Sequence, residues 1–165
     1  LLKTDYAVKH AFLVDLLEKA VESHQSKISD LKIKVIIECD KRIQVHHYTQ
    51  AITEVLEQLI ANSLDHAFQD QPNNLITVQA SLNKESIDIL YKDNGKGISD
   101  ENKQTLFNPF YTTQRGTMGK TGLGMYCVYN LTAQILKGTI KVIDTQRGLG
   151  FKLTIPAKTP DPEQY

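Results

Sequence analysis

Apolar residues at helical spacing dominate the first part of the chain. Between residues 10 and 25 they fall three or four positions apart, which predicts an amphipathic helix. This stripe comprises Phe12, Leu13, Leu16, Leu17, Ala20 and Val21. Residues 32–38, KIKVIIE, are rich in β-branched side chains and predict a strand.

A longer amphipathic helix is predicted from about Tyr48 to Ala67. Its apolar positions recur near every 3.6 residues, as expected for a helix with one buried face. The predicted stripe comprises Ile52, Val55, Leu56, Leu59 and Ser63.

Strands and shorter helices alternate over the rest of the chain. The predicted strands cover residues 75–82, 86–92, 139–143 and 150–155. Helices are predicted at 100–106 and from about 122 to 136, with a long loop at 107–121. Amphipathic helices with antiparallel strands clustered late in the chain predict an α+β fold. We expect a two-layer sandwich of one mixed, mostly antiparallel sheet with helices on one face.

Bulk composition restricts the classes of protein to consider. The 165 residues suit one domain, which we expect over 1–156, followed by a loose tail over 157–165. Lys plus Arg and Asp plus Glu each number 19, and this balance argues against a nucleic-acid partner. No apolar run approaches the ~20 residues of a membrane helix, so we expect no membrane contact by this domain. The chain begins at Leu1 rather than Met, which predicts a fragment of a longer protein.

Three polar residues share one face of the second long helix. Gln58, Asn62 and His66 are spaced four residues apart, beside the apolar stripe. The amide oxygen of Asn62 is a hard ligand that suits Mg²⁺ when a nucleotide supplies the remaining oxygens. The alternative is that Asn62 is a polar residue at the edge of a buried helix.

Two glycine-rich segments follow later in the chain. In Asp93-Asn94-Gly95-Lys96-Gly97 the carboxylate could accept a hydrogen bond from an exocyclic amine, while the glycines permit close backbone approach. Residues 119–125, GKTGLGM, open a predicted helix, where backbone N–H groups favour an anion. Each segment alone also fits a structural role, the first as a turn and the second as a glycine-rich helix start.

An aromatic stretch, LFNPFY at 106–111, precedes the second glycine-rich segment. A long loop in a compact domain is often a lid, in which Arg115 and Lys120 would meet phosphate charge. The alternative is a surface loop held by Phe107 and Phe110 in the core.

The order of these patterns resembles the catalytic domain of two-component sensor histidine kinases, within the GHKL superfamily that also includes gyrase, Hsp90 and MutL. The resemblance covers roughly residues 10–156 and implies a Bergerat-type ATP-binding fold. LEQLIANSLDHAF resembles the N box, DNGKGI the first glycine box, FNPF the F box, GKTGLGM the second glycine box and GLGF the last glycine stretch.

By this resemblance Asn62 would bind Mg²⁺ and Asp93 would pair with the adenine amino group of ATP. Asn62 and Gln58 are the implied catalytic residues. The implied nucleotide contacts are Asn62, His66, Asp93, Gly95, Gly97, Ile98, Phe107, Arg115, Lys120, Thr121, Gly122, Leu123 and Gly124. Gly95 and Gly97 would pass close to the ring, Gly122 and Gly124 would cradle the phosphates, and residues 107–121 would form the ATP lid.

Two positions depart from the family pattern. Gln58 stands where the family often has a second Asn. Asp65 stands where a phosphate-facing Lys is frequent, and a carboxylate there would repel phosphate. We expect either that His66, Arg115 or Lys120 takes over this contact or that Asp65 points to solvent.

Three functions fit these residues. The first is a kinase domain that transfers the γ-phosphoryl of ATP to a histidine on a separate dimerisation domain, which then passes it to a response regulator. None of the five histidines is followed by the acidic residue that accompanies the acceptor in the resembling kinases. The second is an ATPase clamp, which Gln58 disfavours because a neutral amide is a poor base. The third is a non-catalytic nucleotide switch. The kinase reading implies a cytoplasmic domain of a membrane-anchored sensor.

Overall fold

The computed structural model describes residues 6–108 and 123–160. The strands are β1 Val8–Phe12, β2 Lys34–Cys39, β3 Gln44–Tyr48, β4 Leu75–Asn83, β5 Ser86–Asp93, β6 Thr139–Ile143 and β7 Gly150–Pro156. The helices are α1 Leu13–Glu22, α2 Gln25–Asp30, α3 Thr49–His66, α4 Asp100–Thr105 and α5 Gly124–Asn130, which continues as a π-helix over Leu131–Ile135. None of these helices, within the described ranges, is long and apolar enough to cross a membrane.

Five strands form the main sheet, in the order β2-β4-β5-β7-β6. The β2–β4 pair is parallel, and the other pairs are antiparallel. Side chains alternate between the faces of a strand, so β5 buries every second residue. The buried set is Ile87, Ile89, Tyr91 and Asp93. Helices α1, α3 and α5 pack together over this face, which confirms the predicted α+β sandwich.

Helix α3 is the central element of the helical layer. All five residues of its predicted stripe are buried, including the polar Ser63. The periodicity therefore identified the buried face correctly, and the face offset from it carries the polar side chains. This places Asn62 and His66 beside the core rather than within it.

The prediction of a helix from residue 10 was wrong at its start. Residues 8–12 form β1, which pairs antiparallel with the unpredicted strand β3. Phe12 belongs to this ribbon and is 44% exposed, whereas the prediction placed it in the core. The helix starts at Leu13 and ends at Glu22, before the separate short helix α2. Pairing with β3 supplies hydrogen bonds that local spacing cannot reveal.

His47 joins the ribbon to the end of the π-helix. Its ring is fully buried, with Nε2 3.2 Å from the carbonyl oxygen of Leu136 and Nδ1 accepting from the Tyr48 N–H at 2.8 Å. These partners require a proton on Nε2 and none on Nδ1, so the neutral ring fits. Burial lowers the pKa of His47 below its ordinary value of 6.5.

The start of the predicted tail is hydrogen-bonded to the domain. The His46 N–H donates to the Ala157 oxygen at 2.9 Å, and the Thr159 N–H donates to the His46 oxygen at 2.8 Å. The Ala157 N–H also donates to the oxygen of Glu85, in the turn between β4 and β5. The boundary after residue 156 stays a prediction, but an isolated parallel bridge between His46 and Lys158 lies beyond it.

Candidate functional site

A cavity of about 270 Å³ lies between the C-terminal half of α3, the segment after β5, and α4 and α5. Five of the predicted site residues line it, and they come from two distant parts of the sequence. They are Asn62, His66, Asp93, Gly97 and Ile98. The fold therefore brings the polar face of α3 to the first glycine-rich segment, as the sequence motifs required.

Asp93 ends β5 on the buried face of the sheet, and only 4% of it is exposed. Its Oδ1 accepts hydrogen bonds from the N–H groups of Gly95 at 3.0 Å and Leu149 at 3.1 Å. Its Oδ2 accepts one from the Ser63 hydroxyl at 2.8 Å. Burial raises the pKa of Asp93 above its ordinary value, and the three hydrogen bonds act in the opposite direction. The result is a carboxylate of fixed orientation beside the cavity.

Glycines allow two backbone segments to approach Asp93. Gly148 has a φ of +86°, and a Cβ there would overlap the backbone oxygen of Asp93. Gly97 has a φ of +69° and packs against Gly148. Gly95 does not have a positive φ, but a Cβ there would overlap Ala67 at the end of α3. Gly95 therefore fixes the junction between α3 and β5, and it is absent from the cavity lining.

Gln58 and Asn62 occupy different surroundings although they lie one turn apart on α3. Asn62 is half-buried and lines the cavity, whereas Gln58 is exposed. The Gln58 Oε1 approaches the first residue of α5, where it would lie 3.0 Å from a Cβ on Gly124. Gln58 is thus next to the start of α5 rather than in the cavity wall.

Asp65 faces away from the cavity. Its Oδ1 lies 3.8 Å from Nζ of Lys27 on α2, and its side chain is about one-third exposed. Asp65 does not line the cavity, so its carboxylate would not contact an anion there. Of the alternatives that the sequence left open, the structure favours the outward-pointing one.

The remaining predicted residues lie at or beyond the edge of the described part. Leu123 and Gly124 begin α5, and Phe107 packs its ring against Phe151 and Tyr129, with centroids 6.2 and 5.7 Å away. Phe107 thus supports the core next to the cavity. Four further predicted residues fall outside the described residues, together with most of the predicted lid. They are Arg115, Lys120, Thr121 and Gly122.

The donor set in the cavity suits a cation that arrives with an anionic ligand. Over residues 6–108 and 123–160, no group of three or more His, Cys, Asp or Glu side chains is placed to hold a metal ion. Asn62 offers a single amide oxygen, which is the contribution that Mg²⁺ takes from a protein when phosphates and water complete its shell.

Sequence reasoning missed several residues of the cavity wall. Lys96, Leu149 and Met125 lie inside glycine-rich motifs, while Ser99, Asn102 and Leu106 come from α4 and its ends. It also missed the hydroxyls behind Asp93. Ser63 was assigned only to the apolar stripe, although a serine among aliphatic residues signals a buried hydrogen bond.

Comparison with known proteins gives a consistent picture. The family model described as "Histidine kinase-, DNA gyrase B-, and HSP90-like ATPase" (HATPase_c) matches residues 47–159. Sensor histidine kinase CpxA of Escherichia coli K12 is 31% identical over 108 residues, which are 64% of this chain and 22% of CpxA. Sensor histidine kinase ZraS of Escherichia coli O157:H7 is 33% identical over 106 residues, with the same coverage. The chain thus spans about a fifth of the length of these curated relatives.

Solved structures share the fold. The nucleotide-free catalytic domain of histidine kinase ThkA superposes with a TM-score of 0.80 at 22% identity, covering 92% of this chain and 97% of that one. Mycobacterial sensor histidine kinase MprB gives 0.75 at 16% identity, covering 92% and 99%. ThkA in complex with the response regulator TrrA gives 0.76 at 21% identity, covering 96% of this chain and 43% of ThkA.

Proposed function

Because this chain belongs to the HATPase_c family of histidine kinase-, DNA gyrase B- and HSP90-like ATPases, we propose that it is the ATP-binding catalytic domain of a sensor histidine kinase. The observation that carries the proposal is the buried Asp93 carboxylate at the wall of a cavity that Asn62 also lines. The fixed carboxylate of Asp93 suits the adenine at one end of a nucleotide. The amide oxygen of Asn62 suits the Mg²⁺-bound phosphates at the other end.

Adenine recognition follows from the surroundings of Asp93. Three donors hold its carboxylate, and the exocyclic amino group of adenine is the partner for the remaining acceptor position. Ile98, Leu106 and Met125 supply apolar walls for a flat ring. A mostly apolar cavity with a few placed polar groups is the usual form of a small-molecule site.

The phosphate end of the site depends on Asn62 and the start of α5. Asn62 would contribute one amide oxygen to Mg²⁺, and the backbone N–H groups near Leu123 and Gly124 would face the phosphates. When bound, Mg²⁺ would neutralise charge on the phosphates. The protein then needs mainly to position ATP for in-line attack, because phosphoryl transfer requires little covalent chemistry from side chains.

The acceptor is a histidine on a separate dimerisation domain. His47 is fully buried and hydrogen-bonded through both ring nitrogens, so it is unsuited to attack a phosphate. His10 and His46 stack on the ribbon with ring centroids 4.0 Å apart, away from the cavity lining. His66 lies one turn from Asn62, too close to the phosphate chain for in-line attack.

A response regulator is the proposed final partner of the full-length protein. ThkA, whose catalytic domain has the same fold, is described in complex with such a protein.

The two cysteines, Cys39 and Cys127, are free, as in the reducing cytoplasm where ATP is available.

The ATPase-clamp alternative is weakened by Gln58. The related hydrolases place a water-activating Glu at this position, and a neutral amide takes no proton near pH 7. Glu57 is the nearest carboxylate in sequence, but successive residues differ by about 100° around a helix. We therefore expect phosphoryl transfer to dominate over hydrolysis.

The test is incubation of the purified domain with labelled ATP and Mg²⁺, alone and with the histidine-bearing domain of its full-length protein. We expect acid-labile label on the added domain and none on this chain. Label on this chain alone would contradict the assignment of the acceptor. Tight ATP binding without label on either partner would favour the nucleotide-switch alternative.

A further inference from the structure

Three buried polar groups form a continuous chain behind the cavity. The Tyr91 and Ser63 hydroxyls are 2.8 Å apart, and the Ser63 hydroxyl is 2.8 Å from Oδ2 of Asp93. Tyr91 is 0% exposed, Ser63 1% and Asp93 4%. The chain links β5 to α3 across the interface between sheet and helices. Asp93 is the member that also lines the cavity.

The direction of the hydrogen bonds follows from the chemistry of the groups. An ionised carboxylate has no proton, so the Ser63 hydroxyl must donate to Asp93. The single Ser63 proton is then used, and the Tyr91 hydroxyl must donate to Ser63. Each hydroxyl therefore has one defined orientation.

One acceptor position of the Asp93 carboxylate remains available for a further hydrogen bond. A carboxylate has about four acceptor positions. The Gly95 and Leu149 N–H groups use those of Oδ1, and Ser63 uses one of Oδ2. Among the donors that the described residues supply, none takes the second position of Oδ2.

Burial of the Tyr91 hydroxyl carries an unfavourable free energy that a phenylalanine at this position would avoid. Burying a hydroxyl is unfavourable unless it forms a hydrogen bond, and the described partner of Tyr91 is Ser63. Ser63 in turn interrupts an aliphatic stripe on α3. Packing alone does not require either hydroxyl, which indicates a role in orienting Asp93.

We propose that Ser63 and Tyr91 are positioning residues that hold the second acceptor position of Asp93 toward the cavity and so determine the preference for a purine with a 6-amino group. This inference rests on the proposed ATP-binding function. Ser63 acts directly on the carboxylate, whereas Tyr91 acts through Ser63. Their loss should therefore weaken recognition of the amino group specifically, and Ser63 should matter more.

The experiment compares ATP with purine riboside triphosphate, in which hydrogen replaces the 6-amino group. Both are measured with Mg²⁺ by displacement of a fluorescent ATP analogue from the parent, Ser63→Ala, Tyr91→Phe and the double variant. We expect Ser63→Ala to lose about tenfold in affinity for ATP and Tyr91→Phe about twofold to threefold. Affinity for purine riboside triphosphate should stay at the parental value in every variant.

The double variant separates the positioning effect from misfolding. Ser63→Ala alone leaves the Tyr91 hydroxyl buried without its acceptor, while Ser63→Ala with Tyr91→Phe removes both polar groups. The double variant should recover stability yet keep the reduced ratio of the two affinities. Thr53→Ala is the matched control, because Thr53 is a buried hydroxyl on α3 that donates to the Thr49 oxygen at 3.0 Å. It should leave the ratio unchanged.

Failure of this inference is distinguishable from failure of the proposed function. If the parent prefers ATP and Ser63→Ala keeps the parental ratio, or loses both nucleotides equally, the positioning role is overturned and ATP binding stands. If the parent binds neither nucleotide with Mg²⁺, the proposed function itself fails and the inference fails with it.

Discussion

Gly148 lies so close to Asp93 that a Cβ on Gly148 would overlap the backbone oxygen of Asp93. The contact is reinforced by the neighbouring Leu149, whose N–H donates to Oδ1 of Asp93 and whose oxygen accepts from the Asp93 N–H. The glycine after β6 and the carboxylate at the end of β5 thus form one structural unit, 55 residues apart in sequence.

Replacing Gly148 by alanine should destabilise the domain by about 3 kcal/mol. A residue with a Cβ is strained at a φ of +86° by about 1–2 kcal/mol, and the overlap with Asp93 adds a packing penalty. Urea unfolding measures the change. Gly124→Ala is the control, because the nearest atom to its Cβ is the end of the flexible Gln58 side chain. Equal stability of the two variants would contradict the close approach.

Replacing Asp93 by asparagine should preserve the fold and weaken ATP binding. The amide oxygen can accept from Gly95 and Leu149, and the amide N–H₂ can donate to Ser63, whose hydroxyl then turns to Tyr91. The cavity would meet an N–H donor in place of an acceptor, so affinity for ATP should fall about tenfold to a hundredfold. Calorimetry with Mg²⁺ and urea unfolding measure the two effects.

The pH dependence of this variant provides a second check. Burial raises the pKa of Asp93, so the folded protein retains its proton to a higher pH than the unfolded chain. This carboxylate therefore lowers stability as the pH rises from about 3.8 through its folded pKa. The decrease should be absent in Asp93→Asn. If Asp93→Asn bound ATP with the parental affinity, Asp93 would not be a residue of the proposed site.

His47 should make the domain less stable below about pH 6.5. Burial lowers its folded pKa, so in this range the unfolded chain binds more protons than the folded protein. The stability is complete above the unfolded pKa of 6.5 and is lost as the pH falls toward the folded pKa. Each proton taken up on unfolding contributes up to about 1.4 kcal/mol per pH unit.

The measurement is urea unfolding of the parent and of His47→Gln between pH 5 and 8. Glutamine can donate to the Leu136 oxygen but does not titrate. The variant should therefore lack part of the parental decrease at low pH, whatever its absolute stability. Identical slopes in the two proteins would show that His47 does not contribute.

Gln58 should keep steady ATP hydrolysis slow. A neutral amide cannot activate water, so phosphate release by this domain alone should be far below that of a dedicated ATPase. Gln58→Glu should raise the rate, with Gln58→Ala as the matched control that removes the amide without adding a base. Fast parental hydrolysis that is lost on Glu57→Ala would support the ATPase-clamp alternative.

The sequence predicted best where a pattern is long and local. Helix α3 has an 18-residue amphipathic pattern, and its buried stripe was predicted correctly. The ribbon of β1 and β3 was missed because each strand has five residues and is held by pairing with the other. Such non-local hydrogen bonds leave little trace in local spacing.

The parts of the site that the sequence did not predict depend on contacts between separate helices and strands. The outward direction of Asp65 depends on Lys27, which lies on a different helix. The roles of Ser63 and Tyr91 depend on α3 crossing the sheet so that their hydroxyls meet. Period-two alternation in β5 places Tyr91 on the same face as Asp93, and this signal was available in the sequence. That Ser63 is the hydrogen-bond partner of Tyr91 could be seen only in the folded structure.

Because β3 pairs on both of its edges, it also determines where the two ends of the domain lie and whether they can be joined. β1 begins with Val8 opposite Tyr48, and the segment Ala157–Thr159 runs parallel to β3 toward the same end. The two ends of the described chain therefore emerge together beside the start of α3. A short linker could join them, with new termini opened at a surface turn elsewhere. The domain is thus suited to circular permutation, with the cavity far from the new junction along the length of α3.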